Sequence, residues 1–146
     1  MTNAEAIHAL AGATGLDGLS LDGDECEIVL DGDLSVTLCG EPRGEALEVV
    51  IPLMDSGSAG GVERAALEAS FLGLAPAPAW IGIDPLTGEI ALRSRLELSH
   101  VPPEAVADRV AALAATARRL RDGLPGLRRT EAAPMPVDPD VTMLRL

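Results

Sequence analysis

GVERAALEASFLGLAPAPAWIGIDPLTGEIALRSRLEL, residues 61–98, reads as a helix, a short loop and a hairpin of two strands. At 100° per residue, Val62, Ala65, Ala66, Ala69 and Leu72 share one side of the helix. Leu67, Phe71 and Leu74 gather on roughly the opposite side, separated by Glu63, Arg64 and Glu68. A helix with two apolar stripes has two surfaces to bury. One small domain supplies one core, so the second stripe asks for a second layer, another protein or a second copy of the chain.

The hairpin after this helix follows from its punctuation. Ala75-Pro76-Ala77-Pro78 forbids helix and feeds an extended segment from Ala79 to Asp84. Pro85-Leu86-Thr87-Gly88 is a turn, and Ile90, Leu92, Leu96 and Leu98 then alternate with Glu89, Arg93, Arg95 and Glu97. Downstream, Pro102-Pro103-Glu104 opens a last helix whose Val106, Val110, Leu113, Ala117 and Leu120 recur at intervals of three and four. Arg118, Arg119 and Arg121 suit its C-terminal dipole, and Gly123 is expected to end it.

Upstream the period is two. Cys26, Ile28 and Leu30 alternate with Glu25, Glu27 and Val29, then Leu34, Val36 and Leu38 with Ser35, Thr37 and Cys39, and after a turn at residues 40–44 come Leu47, Val49, Ile51 and Leu53. Three strands joined by short turns make an antiparallel meander. A short first helix begins at Thr2 or Asn3, with an expected stripe of Ala4, Ile7, His8 and Ala11, and stops at Gly12 or Gly15. The order α-β-β-β-α-β-β-α describes an α+β domain over residues 1–123 with a twisted antiparallel sheet. Residues 124–146, with four prolines and no sustained period, read as a disordered tail.

Composition narrows the function. The 146 residues are 47% hydrophobic with a positive mean hydropathy, enough for one core that buries ~70% of the unfolded surface. Phe71 and Trp80 are the only aromatics. The formal charge is −12 with a pI near 4.4, and all eleven basic residues are arginine. Such a surface repels phosphate backbones and anionic lipid heads, which argues against nucleic-acid and membrane-surface binding. No secretory leader or membrane-spanning run is legible, which places the protein in the cytosol.

Chemistry finds little support. His8 and His100 are isolated, and Cys26 and Cys39 carry no metal or redox spacing and read as buried free thiols. The loop Gly57-Ser58-Ala59-Gly60-Gly61 has the glycines of a phosphate cradle and no lysine. The triplets Asp22-Gly23-Asp24 and Asp31-Gly32-Asp33 raise the question of calcium, but their strand flanks fit turns better than an EF-hand. No catalytic residue, metal or cofactor is assigned. The chain reads as a protein that binds.

The order of elements, the acidity and the central block together resemble the class I type III secretion chaperones, the Tir-chaperone family of small acidic bacterial proteins. The most specific part is Leu67-Glu68-Ala69-Ser70-Phe71-Leu72-Gly73-Leu74 followed by Trp80-Ile81-Gly82-Ile83-Asp84 and Ile90-Ala91-Leu92-Arg93. Ser70 stands where the family often has Asn, and Gly82 where it has a bulkier residue. The resemblance implies a cytoplasmic homodimer built by the second helix and fourth strand, which assigns an interface role to Leu67, Phe71, Leu74, Trp80, Ile81 and Ile83. It also implies binding of the N-terminal segment of a secreted effector in extended form, with the secretion ATPase as a further candidate partner. Ile7 and Leu10 on the first helix, with Val29, Val50 and Met54 as outward hydrophobes on strands, are the candidate effector contacts. The alternative reading is a protein-binding module outside secretion on the same dimeric scaffold. A third, an enzyme or calcium switch, would have to use the Asp-Gly-Asp turns.

Overall fold

Thr2 opens the first helix, α1 (Asn3–Thr14), by a reciprocal cap. Its hydroxyl accepts from the Glu5 N–H at 3.3 Å, while the Glu5 carboxylate accepts from the Thr2 N–H at 2.7 Å. The computed structural model describes residues 1–127 apart from 17, 22, 56–60 and 76–77. Within these, β1 (Glu25–Leu30), β2 (Leu34–Gly40) and β3 (Ala46–Asp55) precede α2 (Val62–Phe71), and β4 (Ala79–Ile83), β5 (Glu89–Glu97) and α3 (Pro103–Leu127) follow. The expected α-β-β-β-α-β-β-α order is the observed one. No helix among the described residues is long and apolar enough to cross a membrane.

The strands form one antiparallel sheet in the order β1-β2-β3-β5-β4. The β4–β5 hairpin returns so that β5 pairs with β3, leaving β1 and β4 as the two edges. Residues paired across a ladder share a face. Ile28, Val36, Leu38, Val49, Ile51, Leu92 and Leu96 form the inner face, against which α1 and α3 pack with Ile7, Leu10, Val106, Val110, Leu113, Ala117 and Leu120. The outer face carries Glu27, Val29, Thr37, Cys39, Glu48, Val50, Trp80, Gly82, Arg93 and Arg95.

Two tethers fix the helices to the sheet. Asn3 lies so close to Gly40 at the end of β2 that a Cβ there would sit 2.5 Å from its amide nitrogen, and that amide donates to the Glu41 carbonyl at 3.0 Å. From α3, the Arg121 guanidinium donates twice to the Pro52 carbonyl, at 2.8 and 3.1 Å. Pro52 sits where the β3–β5 register shifts, so Arg121 satisfies an acceptor at a bulge.

Four expectations need correction. The buried stripe of α1 is Ala6, Ile7 and Leu10, with Ala4 and His8 exposed. Leu72 is exposed, because α2 stops at Phe71 and Leu72 becomes its cap. Cys39 is only partly buried, since it lies on the outer sheet face, while Cys26 lies on the inner one. Finally, α3 does not end at Gly123 but runs to Leu127. Leu124 is fully buried in the core, and that burial outweighs the ~1 kcal/mol cost of a glycine inside a helix. The rest of the expected tail, residues 128–146, lies outside the described residues, as does most of the 57–61 glycine loop.

Candidate protein-binding surfaces

The inner stripe of α2 is made of Ala65, Ala66 and Ala69, all buried. Small residues there let the helix lie close against α3 and β4. Its outer stripe has no packing partner among the described residues, with Phe71 91% exposed and Leu67 also open. The chain then turns through a Schellman arrangement: Gly73 N–H donates to the Ser70 carbonyl at 3.1 Å and Leu74 N–H to the Ala69 carbonyl at 3.0 Å. Gly73 has φ of +69°, a conformation that strains any residue with a Cβ. This turn presents Leu72 and Leu74 beside Phe71, both exposed.

β4 continues the apolar surface along the sheet edge. Ile83 is exposed near its end, and Trp80 is exposed on the outer sheet face, its indole leaning to within 4.0 Å of the space beside Gly82. In the following turn, the Asp84 carboxylate accepts the N–H groups of Leu86 and Thr87 at 2.8 and 3.3 Å. Leu86 stands at the tip, 93% exposed. Of the six residues assigned to an interface, Leu67, Phe71, Leu74, Trp80 and Ile83 are open and flank one edge of the domain. Ile81 is not: it faces inward opposite Leu92 and is only 9% exposed, because alternation turns it away from Trp80. Leu72 joins the patch beside Leu67 and Phe71, and Leu86 is a further exposed apolar residue in the hairpin turn. An apolar residue at a turn tip was the available sign for Leu86.

A second surface spans the outer sheet face and the free edge of β1. Val29 is exposed there and Val50 half-buried. Beside them runs a ladder of charge pairs, with Arg93 on Glu48 at 2.5 Å and Arg95 on Glu97 at 2.6 Å and on Glu41. The hydrogen bonds it donates to Glu97 and then to Glu41 hold the Arg95 guanidinium above its ordinary range. Between strands lies a groove of about 290 Å³ lined by Glu25, Thr37, Cys39, Val50, Gly82, Asp84, Glu89, Ala91 and Arg93. Burial, and next the Glu25 and Glu48 carboxylates, push the Cys39 thiol up, which makes it a poor nucleophile.

Three of the expected effector contacts do not reach this surface. Ile7 and Leu10 are 2% and 1% exposed, held in the core where α1 packs against α3. Met54 packs against the core too, because the bulge after Pro52 places it opposite the inward Ile90. Val29 and Val50 remain on the open face.

The residues questioned for chemistry are also placed. Arg118 engages Asp31 at 2.7 Å and Asp33 at 3.5 Å, so the Asp31-Gly32-Asp33 turn is tied to α3. Of the other triplet, Asp22 lies outside the described residues. His8 is exposed on α1, and His100 is exposed in the loop before α3. No group of three potential metal ligands occurs among the described residues.

With these surfaces in view, the profile of the Tir chaperone protein (CesT) family matches residues 5–121. The chain belongs to this family. It is therefore a member of a family of non-enzymatic secretion chaperones. No curated protein matches it closely in sequence. Solved structures with the same fold include the ExsC–ExsE complex, at 22% identity and a TM-score of 0.71, covering 85% of this chain and 97% of the other. The HopA1–SchA chaperone–effector complex matches at 16% identity and 0.67, covering 80% and 91%. The ExoT–SpcS complex from Pseudomonas aeruginosa matches at 23% and 0.61, covering 79% and 93%.

Proposed function

We propose that this chain is a type III secretion chaperone that works as a homodimer in the bacterial cytoplasm and holds the N-terminal segment of a secreted effector in extended form. The observation that carries the reading is family membership over residues 5–121. The similar folds in chaperone–effector complexes, SchA with HopA1 and SpcS with ExoT, support the class of partner.

The two surfaces divide the work. A second copy would cover Leu67, Phe71, Leu74 and Ile83, with Trp80 at the margin, since α2 and the β4 edge form a continuous apolar border on a domain whose own core is already filled. The effector would take the outer sheet face and the β1 edge. Main-chain groups at a sheet edge accept a strand of almost any sequence, while Val29 on β1 and Val50 two strands away on β3 offer apolar contact on the outer face. The net charge of −12 keeps such a sticky dimer soluble. Handing the effector to the secretion ATPase would be the next step of the same cycle.

The test is co-expression of the full chain with the N-terminal segments of effectors encoded in the same genome, followed by light scattering on the purified complex. The expected product is two chaperone chains to one effector segment. Failure to capture any of these effectors would overturn the reading.

A further inference from the structure

The groove of about 290 Å³ on the outer sheet face has carboxylates at both ends. Glu25 on β1 lines one end, and Asp84 with Glu89, at the turn of the β4–β5 hairpin, lines the other. Between them lie small or apolar side chains, chiefly Cys39, Val50 and Ala91, with Gly82. Arg93 also lines the groove, but Glu48 already holds it at 2.5 Å. No arginine among the described residues engages Glu25, Asp84 or Glu89.

Two features of this groove weaken the free chain. Asp84 and Glu89 stand opposite each other across the hairpin, joined by the Asp84 N–H to the Glu89 carbonyl at 2.8 Å, and both are half-buried. Like charges directly opposite on neighbouring strands are destabilising. The Oδ1 atom of Asp84 accepts from the Leu86 and Thr87 amides, while its second oxygen has no partner among the described residues. The other feature is Gly82. Its backbone is not left-handed, and a Cβ there would meet its nearest neighbours only at 4.0 Å, an ordinary contact. Nothing in the fold requires glycine at this position, and glycine weakens a strand unless another chain approaches it closely.

We propose that the groove docks an extended segment of the bound effector that carries a basic residue at each end of a short small or apolar stretch. One basic side chain meets Asp84 and Glu89, the other meets Glu25, and the stretch between them passes over Gly82 and Ala91. The inference rests on the proposed effector binding for the source of this segment. β1 and β4 are four strand spacings apart, ~19 Å at ~4.8 Å each, which about six residues span at ~3.3 Å apiece. The Glu25 end borders the β1 edge, so a chain leaving a strand added there enters the groove directly. Charge complementarity selects this occupant over a second copy, which would bring 23 acidic residues and only 11 basic ones to a face already short of cations.

The probe is the peptide acetyl-Arg-Thr-Val-Ala-Val-Thr-Arg-amide, whose arginines and valines share one face when extended. Titrated into the isotope-labelled full chain, it should shift the backbone amides of Cys39, Gly82, Asp84, Glu89 and Ala91. The same peptide with citrulline for both arginines keeps the shape without the charge and should bind about tenfold more weakly. Glu89→Gln should weaken the arginine peptide about fivefold while leaving the urea midpoint at or above that of the wild type. Gly82→Val should remove the shifts without lowering the midpoint. Equal affinity for the two peptides, shifts that are absent at millimolar peptide or centred elsewhere, or a Glu89→Gln chain that loses stability along with affinity would overturn the proposal. So would concentration-dependent shifts of the same amides without peptide, which would give the groove to a second copy. The peptide pair reads the groove without any effector, so failure to capture effectors overturns the chaperone reading separately.

Discussion

Replacing Phe71 by aspartate tests the proposed self-association while leaving the packing of the domain in place. The ring is 91% exposed in the single protomer, so its loss removes almost no internal packing. Its neighbour Ala69, on the opposite side of the same helix, is fully buried and serves as the contrasting site. If two copies meet through α2, each contributes one Phe71 to a twofold interface, and the substitution acts twice. Burying a phenylalanine contributes ~1.5–3 kcal/mol, so the pair accounts for ~3–6 kcal/mol, or about a hundred- to ten-thousand-fold in the dimer dissociation constant. The desolvation of two aspartates adds to this. If the proposed dimer forms, sedimentation equilibrium should therefore find Phe71→Asp monomeric at concentrations where the wild type associates, with unchanged circular dichroism and a urea midpoint equal to that of the wild type diluted to monomer. Ala69→Asp should instead unfold. A Phe71→Asp protein that remains dimeric with the wild-type dissociation constant would place the interface elsewhere and remove the role given to the outer stripe.

Other predictions concern the frame that holds the two surfaces in place. Leu10→Ala should cost ~2–5 kcal/mol in urea unfolding, the loss expected of a fully buried leucine, and should weaken effector capture only as far as it lowers the folded fraction. Arg121→Ala should destabilise by ~1–2 kcal/mol through the unsatisfied Pro52 carbonyl, whereas Arg118→Ala, whose partners are largely exposed, should change less than ~1 kcal/mol and only at low salt. The Thr2 backbone N–H, then its hydroxyl, hold the Glu5 carboxyl below its ordinary range. The cap of α1 is therefore at full strength above the unfolded-state pKa of Glu5 and is lost as pH falls through the lowered folded value. Hydrogen exchange at the Ala6 amide should speed up across that acid window beyond its intrinsic rate, and Glu5→Gln should abolish the added dependence.

Most of the sheet was legible because alternation is a local signal that tertiary structure had no reason to overturn. Cys26, Ile28, Val36, Leu38, Val49 and Ile51 face the core in the sequence pattern and in the fold alike. The outer stripe of α2 was legible for the same reason, as Leu67 and Phe71 are one helical turn apart and both stand open. The first helix is different. It is short and rich in alanine, so several faces look equally apolar, and only docking against α3 selects Ala6, Ile7 and Leu10. Leu72 required knowing where α2 stops, and the Gly73 turn that stops it is set by backbone geometry at a single residue.

Met54 shows where a physical sign was present and unused. Counting by two from Val50 puts Met54 on the outer face, and the count is sound until a residue is inserted. Proline inside a central strand cannot donate to the ladder and is tolerated chiefly at bulges. Pro52 lies in β3, which has neighbours on both sides, so the sequence already contained a reason to expect a shift of register after it. That shift has a functional consequence. It turns Met54 toward Ile90 and takes it off the outer face. On the outer face Val29 stands on the β1 edge, Val50 on the central β3 and Trp80 on the β4 edge, with Arg93 between Val50 and Trp80. Of the apolar positions, only Val29 lies at the β1 edge, since Val50 sits at mid-sheet beside the Arg93–Glu48 pair. The proposed strand addition would rest on the free main-chain groups of β1 beside Val29 rather than on Val50.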